Sequence, residues 1–176
     1  MHDHAPILDD RVHRHLAEKI RPAETTTVCH LNVEWAPVTD TVEGLNSRPG
    51  VVGQGEPISI SAGLALAYEP FRIGDTWGPA WGTTWFHLTA TVPPEHRDDH
   101  LEMIVDLGGV WDSPGFQSEG LVVRPDGSII KALNPRNTWI PVETDAEGHI
   151  DVYVEAASNP ILLAQPPFQP LSLIHI

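Results

Sequence analysis

Basic residues are scarce in this chain: Lys and Arg total 10 against 24 Asp and Glu, a formal net charge of -14 over 176 residues. The shortage is local. Residues 1–21 balance four bases (Arg11, Arg14, Lys19, Arg21) against four acids (Asp3, Asp9, Asp10, Glu18), which leaves six bases and twenty acids in residues 22–176. A surface of that sign repels phosphate, so nucleic acid and anionic membrane are excluded as partners. Cysteine is nearly absent, and the single Cys29 rules out an internal disulfide and any Cys-rich zinc site. No apolar run approaches the roughly 20 residues that span a bilayer. The opening MHDHAPILDD lacks the basic and apolar segments of a secretory signal. A soluble, cytoplasmic protein is expected.

Turn chemistry and tryptophan are present in quantity. With 14 Gly, 17 Pro, six Trp and 41% hydrophobic residues, the composition fits a packed, turn-rich β fold. Residues 6–21 are the exception and predict a helix. Pro6 suits a first turn, and Leu8, Val12, Leu16 and Ile20 recur every four residues as one apolar stripe. Asp9 and Asp10 sit near the positive end, Lys19 and Arg21 near the negative end, and Pro22 is expected to stop the helix. A helix this short is marginal alone, so the stripe is expected to dock.

Residues 22–62 predict a weakly structured connector with one strand around Val28–Trp35. From residue 63 the pattern turns to short alternating strands. In WFHLTATV (85–92), Phe86, Leu88, Ala90 and Val92 share one face; Trp85, His87, Thr89 and Thr91 share the other. Met103, Val105 and Leu107 alternate with Glu102, Ile104 and Asp106, and Ile150, Val152, Val154 and Ala156 alternate with Asp151, Tyr153 and Glu155. GLVVRPDGSIIKAL (120–133) predicts a hairpin about Pro125-Asp126-Gly127. These strands predict a mainly β fold, an antiparallel jelly-roll-like β-sandwich over 63–170, preceded by one N-terminal helix. Strand–helix alternation is missing, which excludes a Rossmann or barrel architecture. The final LSLIHI (171–176) matches a translation of the end of a transposon adapter used in sequencing libraries. It is treated as a non-native tail, so the natural protein is expected to continue beyond Pro170.

Few side chains here carry a chemical motif. His13 and His15 stand two apart and point to different sides of the helix, whereas a helical metal pair needs i,i+4 spacing with a supporting carboxylate. His149-Ile150-Asp151 places two metal-ligand types on one strand face, but as surface positions flanking Ile150. Asp112 and Glu119 flank the loop SPGFQ (113–117) without a geometry for glycosyl transfer. Cys29 has no motif around it and reads as a small buried side chain. The sharpest local feature is aromatic. Trp77, Trp81 and Trp85 recur at four-residue spacing, with Gly78, Pro79 and Gly82 forbidding a helix. Such indoles stack on sugars, bury against a neighbouring domain, or simply pack in the core. With Glu119 they are the candidate sugar or interdomain contacts. No catalytic residue and no metal ligand is assigned.

The runs YEPFRIGDTWGPAWGTTWFHLTATVP (68–93), PGFQSEGLV (114–122), KALNPRN (131–137) and VEAASNP (154–160) resemble the N-terminal part of glycoside hydrolase family 38 α-mannosidases of the bacterial and fungal-vacuolar type. The resemblance covers about residues 50–170. It implies an accessory β-sandwich ahead of a catalytic domain, in enzymes that release terminal α-linked mannose with zinc, an aspartate nucleophile and an acid/base carboxylate. In that family the first zinc-binding His-x-Asp stands in a context like HIDTAWLWP; His149-Ile150-Asp151 reads HIDVYVEAAS instead, so zinc ligation is not carried over to it. The expectation is a fragment without an active site, inactive alone and binding no zinc. Its partners would be the remainder of the α-mannosidase chain and a possible homo-oligomer, with α-mannosides the substrate of the full enzyme. The alternative is a stand-alone carbohydrate-binding sandwich.

Overall fold

The computed structural model describes residues 4–38, 57–78, 80–109, 117–160 and 171–172. The chain opens with helix α1 (Ala5–His15), which passes through a π turn (Leu16–Ile20) into α2 (Arg21–Glu24). Pro22 therefore does not end the helix. The wider π turn just before it accommodates a residue that has no N–H to donate and a ring that crowds the preceding turn. No residue of α1, the π turn or α2 is buried, and Leu8, Val12, Leu16 and Ile20 are all exposed. The expected docking of the stripe does not occur within the described chain.

Strand β1 (Asn32–Pro37) follows, overlapping the strand expected around Val28–Trp35 within the connector. It pairs along its whole length with β4 (Thr83–Thr91), Val33 opposite Leu88 and Ala36 opposite Trp85. Val28 and Leu31 pack on the core just ahead of it. A short helix α3 (Ile60–Leu64) is capped by Ser59, whose Oγ accepts the Ala62 N–H at 3.2 Å. Strands β2 (Glu69–Pro70) and β3 (Thr76–Trp77) precede β4; after it come β5 (Glu102–Ile104), β6 (Glu119–Val123), β7 (Ile129–Leu133), β8 (Trp139–Pro141) and β9 (His149–Ala157). One antiparallel sheet runs β2-β1-β4-β9-β6-β7, and β5 pairs with β8 in a second layer. The last pair joins β3 to β10 (Leu171–Ser172), so the first two residues of the expected tail pair antiparallel with Thr76–Trp77. Residues 173–176 lie outside those described.

The alternation in the strands decides what each layer buries. Phe86, Leu88, Val152, Val154 and Ile150 from the large sheet meet Met103, Val105, Leu107 and Ile140 from the other layer in the main core. The predicted faces of 85–92 and 149–156 are those observed. The outer face of the large sheet is not left to solvent, however. Trp85, Val123, Leu121 and Tyr153 on that face are covered by Ile58, Ile60, Leu64, Leu66 and Tyr68. The hairpin of β6 and β7 turns at Gly127, where φ is +83° and the Asp126 carboxylate accepts the Ser128 N–H at 2.8 Å. Among the described residues no helix is long and apolar enough to cross a membrane.

Candidate functional site

Trp77, Trp81 and Trp85 have three different fates. Trp77 is fully buried in the main core, where its Nε1 donates to the Leu107 carbonyl at 3.1 Å and its ring meets Phe86 edge to face. Trp85 is equally buried, on the other face of the sheet. Its indole lies against Gly63, where an added Cβ would come within 2.2 Å of the ring. Neither side chain reaches the surface, so the expected three-tryptophan contact reduces to Trp81, which is 43% exposed. Coverage of both faces of the large sheet is the physical reason.

Trp81 stands in the turn before β4 with φ +67°, a left-handed conformation rare for a bulky side chain. That conformation costs about 1–2 kcal/mol, so its surroundings must impose it. The imposing residue is Ser158, itself buried. Its carbonyl accepts the Trp81 N–H at 2.9 Å; its N–H and its Oγ each donate to the Gly82 carbonyl at 3.0 Å; its Oγ also accepts the Gly82 N–H at 3.1 Å. Gly78, at φ +89°, leaves room for the serine, since a Cβ there would stand 2.7 Å from the Ser158 side chain. Glu119, exposed on β6, faces Ala157 across the ladder, so it lies at the same end of the sheet as Trp81 and Ser158. Sequence inspection had no means of finding Ser158, because the clamp joins residues 76 positions apart. Asp112 lies outside the described residues.

A polar network on the outer face was equally hidden. His87 on β4 lies between Glu34 of β1 and Asp151 of β9, with Nδ1–Oε2 and Nε2–Oδ1 distances of 3.0 Å each. Its ring stacks on Tyr153 at 4.3 Å between centroids, and Tyr68 approaches both. Burial pushes both tyrosine hydroxyls to higher pKa, Tyr68 the further, and Tyr68 donates to the Gly63 carbonyl at 2.7 Å. Glu155, on the same face, is also pushed up by burial. These contacts tie the covering segment to the sheet.

His149 and Asp151 do not converge on a common point. Asp151 bonds to His87, whereas His149 turns back to Asp145 at 2.9 Å. Asp145, Glu147 and His149 are the one group of three potential metal ligands among the described residues, with ligand atoms within 4.8 Å of one another. They do not fit the zinc of a glycosidase. All three are exposed on one turn, and both Asp145 oxygens are already engaged, Oδ1 by the Glu147 and His149 N–H groups and Oδ2 by the His149 ring. Those bonds hold the Asp145 carboxyl below its usual range. Cys29 is free and half-buried.

Comparison with known proteins fits this antiparallel sandwich. Alpha-mannosidase 2C1 of Homo sapiens is 33% identical over 101 residues, 54% of this chain and 9% of that protein. Alpha-mannosidase G of Dictyostelium discoideum is 29% identical over 108 residues, 59% of this chain and again 9% of the relative. The chain thus spans about a tenth of the length of these relatives. The family model described as the jelly roll domain of alpha-mannosidase matches residues 47–172, which takes in β2 to β10 and ends at Ser172. By that match over most of its length, the chain belongs to the jelly roll domain family of alpha-mannosidases.

Proposed function

We propose that this chain is the N-terminal accessory domain of a cytoplasmic α-mannosidase and has no glycosidase activity of its own. The reading rests on one observation above all: the jelly roll match spans residues 47–172, most of the chain, while the chain covers only 9% of each relative. The catalytic carboxylates and the zinc that the family resemblance implies would then belong to the rest of the enzyme, along with recognition of terminal α-mannose. The described residues hold no cation cluster besides the exposed Asp145–Glu147–His149 turn. A lone free cysteine suits a reducing compartment.

Within the whole enzyme, Trp81 and Glu119 are the contact with the remaining domains. Supporting this role, Trp81 is held outward against its backbone preference by a buried serine, and stored strain of that kind marks positions kept for function. The test of inactivity is an aryl α-mannoside assay with added zinc: no turnover is expected, and activity that follows the chain through purification would overturn the reading. The test of the contact is mannose titration followed by tryptophan fluorescence. A flat response fits an interdomain anchor. Saturable quenching lost in Trp81→Ala would instead make the domain a carbohydrate-binding module.

A further inference from the structure

Both ring nitrogens of His87 stand 3.0 Å from a carboxylate oxygen, Nδ1 from Glu34 and Nε2 from Asp151. An ionised carboxylate only accepts, and a neutral imidazole has a single N–H to donate. A neutral ring between two carboxylates would therefore face one of them with a lone pair. The bridge closes only with one further proton, on the ring or on one of the carboxyls, and the count is the same in both cases. The His87 side chain is 18% exposed, so water has little access to separate the partners.

That bridge stands where the covering segment 57–70 joins the sheet. The cover ends in β2, with Pro70 opposite Glu34 and Glu69 opposite Trp35 in the ladder. The Tyr68 ring lies 5.7 Å from His87 and 5.6 Å from Tyr153, and His87 is stacked flat on Tyr153. Loss of the extra proton turns one 3.0 Å contact repulsive, and a ring that moves to relieve it leaves the surface on which Tyr68 rests. Two groups beneath the cover oppose closure: the Trp85 Nε1 is buried without an acceptor, and Glu155 is kept from water. The described titratable groups about the bridge are Glu34 of β1, Asp151, Tyr153 and Glu155 of β9, and Tyr68 and Glu69 of the cover. Burial pushes both tyrosine hydroxyls up, so they stay neutral while the bridge titrates.

We propose that the Glu34–His87–Asp151 bridge is a proton-operated latch. With its extra proton it holds residues 57–70 on the sheet; as pH rises and that proton leaves, the cover lifts and exposes the face that carries Trp85 and Tyr153. The direction follows from the proton count. The closed form holds one proton more than the open form, so closure is favoured at low pH and weakens as pH rises.

Hydrogen exchange of the intact chain from about pH 5 to about pH 9, which brackets histidine titration, tests the latch once rates are corrected for the intrinsic pH dependence of amide exchange. The informative amides are Gly63, Ala65 and Leu66, each bonded within the cover. Their opening should grow several-fold across the range, by no more than about tenfold per pH unit, the limit for one proton. The amides that join β4 to β9 should keep their protection, which also shows that the sheet stays folded. Glu34→Gln with Asp151→Asn removes the need for the extra proton, and the step should vanish. Glu155→Gln should leave the step in place, since Glu155 lies outside the bridge. Opening that does not change with pH would overturn the latch, as would parallel loss of protection in the cover and the β4–β9 pair. A step that persists in the double variant or disappears in Glu155→Gln would overturn it equally.

Discussion

At the scale of single residues, the two buried tryptophans make opposite demands. The Trp77 Nε1 has a partner in the Leu107 carbonyl, whereas the Trp85 Nε1 is buried without one. Removing a paired donor strands its acceptor, a cost of about 1–3 kcal/mol, while removing an unpaired one carries no such penalty. Trp77→Phe should therefore destabilise more than Trp85→Phe in urea unfolding; the reverse order would show that lost volume alone decides. Gly63→Ala presses a methyl into the Trp85 ring and should cost about 1–3 kcal/mol. Combined with Trp85→Phe, which vacates part of that space, the cost should shrink. An additive cycle would mean that the two residues do not share the space the structure gives them.

Glu155 supplies the pH dependence at this scale. Burial raises its pKa above the usual 4.5, so the folded state holds a proton more tightly than the unfolded chain does. The sign follows: ionised Glu155 works against folding above its folded pKa, and that penalty fades as pH falls toward the ordinary value. Glu155→Gln should raise the melting temperature near neutral pH and lose the advantage at about pH 4. An equal gain at both pH values would point to packing in place of charge.

At the scale of elements, the segment 57–70 is what the sheet needs and the sequence conceals. It covers Trp85 and Tyr153 on the outer face, and the Tyr68 hydroxyl closes it onto the Gly63 carbonyl. Tyr68→Phe removes that bond for about 1 kcal/mol. The loss should be local, seen as faster hydrogen exchange in α3 with β4 and β9 unchanged; loss of protection throughout the sheet would make the cover part of the global fold. Period-two alternation made the inner faces of β4 and β9 legible, because one unbroken row of apolar side chains points to one core. The Pro125-Asp126-Gly127 turn was legible for a local reason as well. Strand β1 was legible as a β-prone run around Val28–Trp35, but its place beside β4 is set by pairing over some 50 residues and was not. The Ser158 clamp and the His87 network fail to show in the sequence for the same reason, since each is assembled by register between distant strands. Trp77 and Trp85 misled because exposure cannot be deduced from spacing when both faces of a sheet are covered.

At the scale of the molecule, charge is the dominant unbalanced quantity. Twenty acids face six bases over residues 22–176, and described bases are engaged locally, as in the paired Arg124–Glu143 contacts of 2.8 Å. Net charge of one sign destabilises a compact state through self-repulsion. Salt shortens the reach of that repulsion to about 10 Å at 0.1 M, whereas bonded pairs at contact distance are screened less. The two effects act in opposite directions, and their magnitudes decide between them. Exposed ion pairs contribute about 0–1 kcal/mol each, and few are present among the described residues, while the repulsion sums over every pair among the excess acids. The melting temperature of the chain should therefore rise as sodium chloride is raised from millimolar to physiological levels. Arg124→Gln, which adds one more uncompensated acid, should steepen the rise. A melting temperature that falls with salt would mean that the local pairs around Arg124, His87 and His149 outweigh the -14 excess, and that the acids are placed to hold the fold together and not merely tolerated by it.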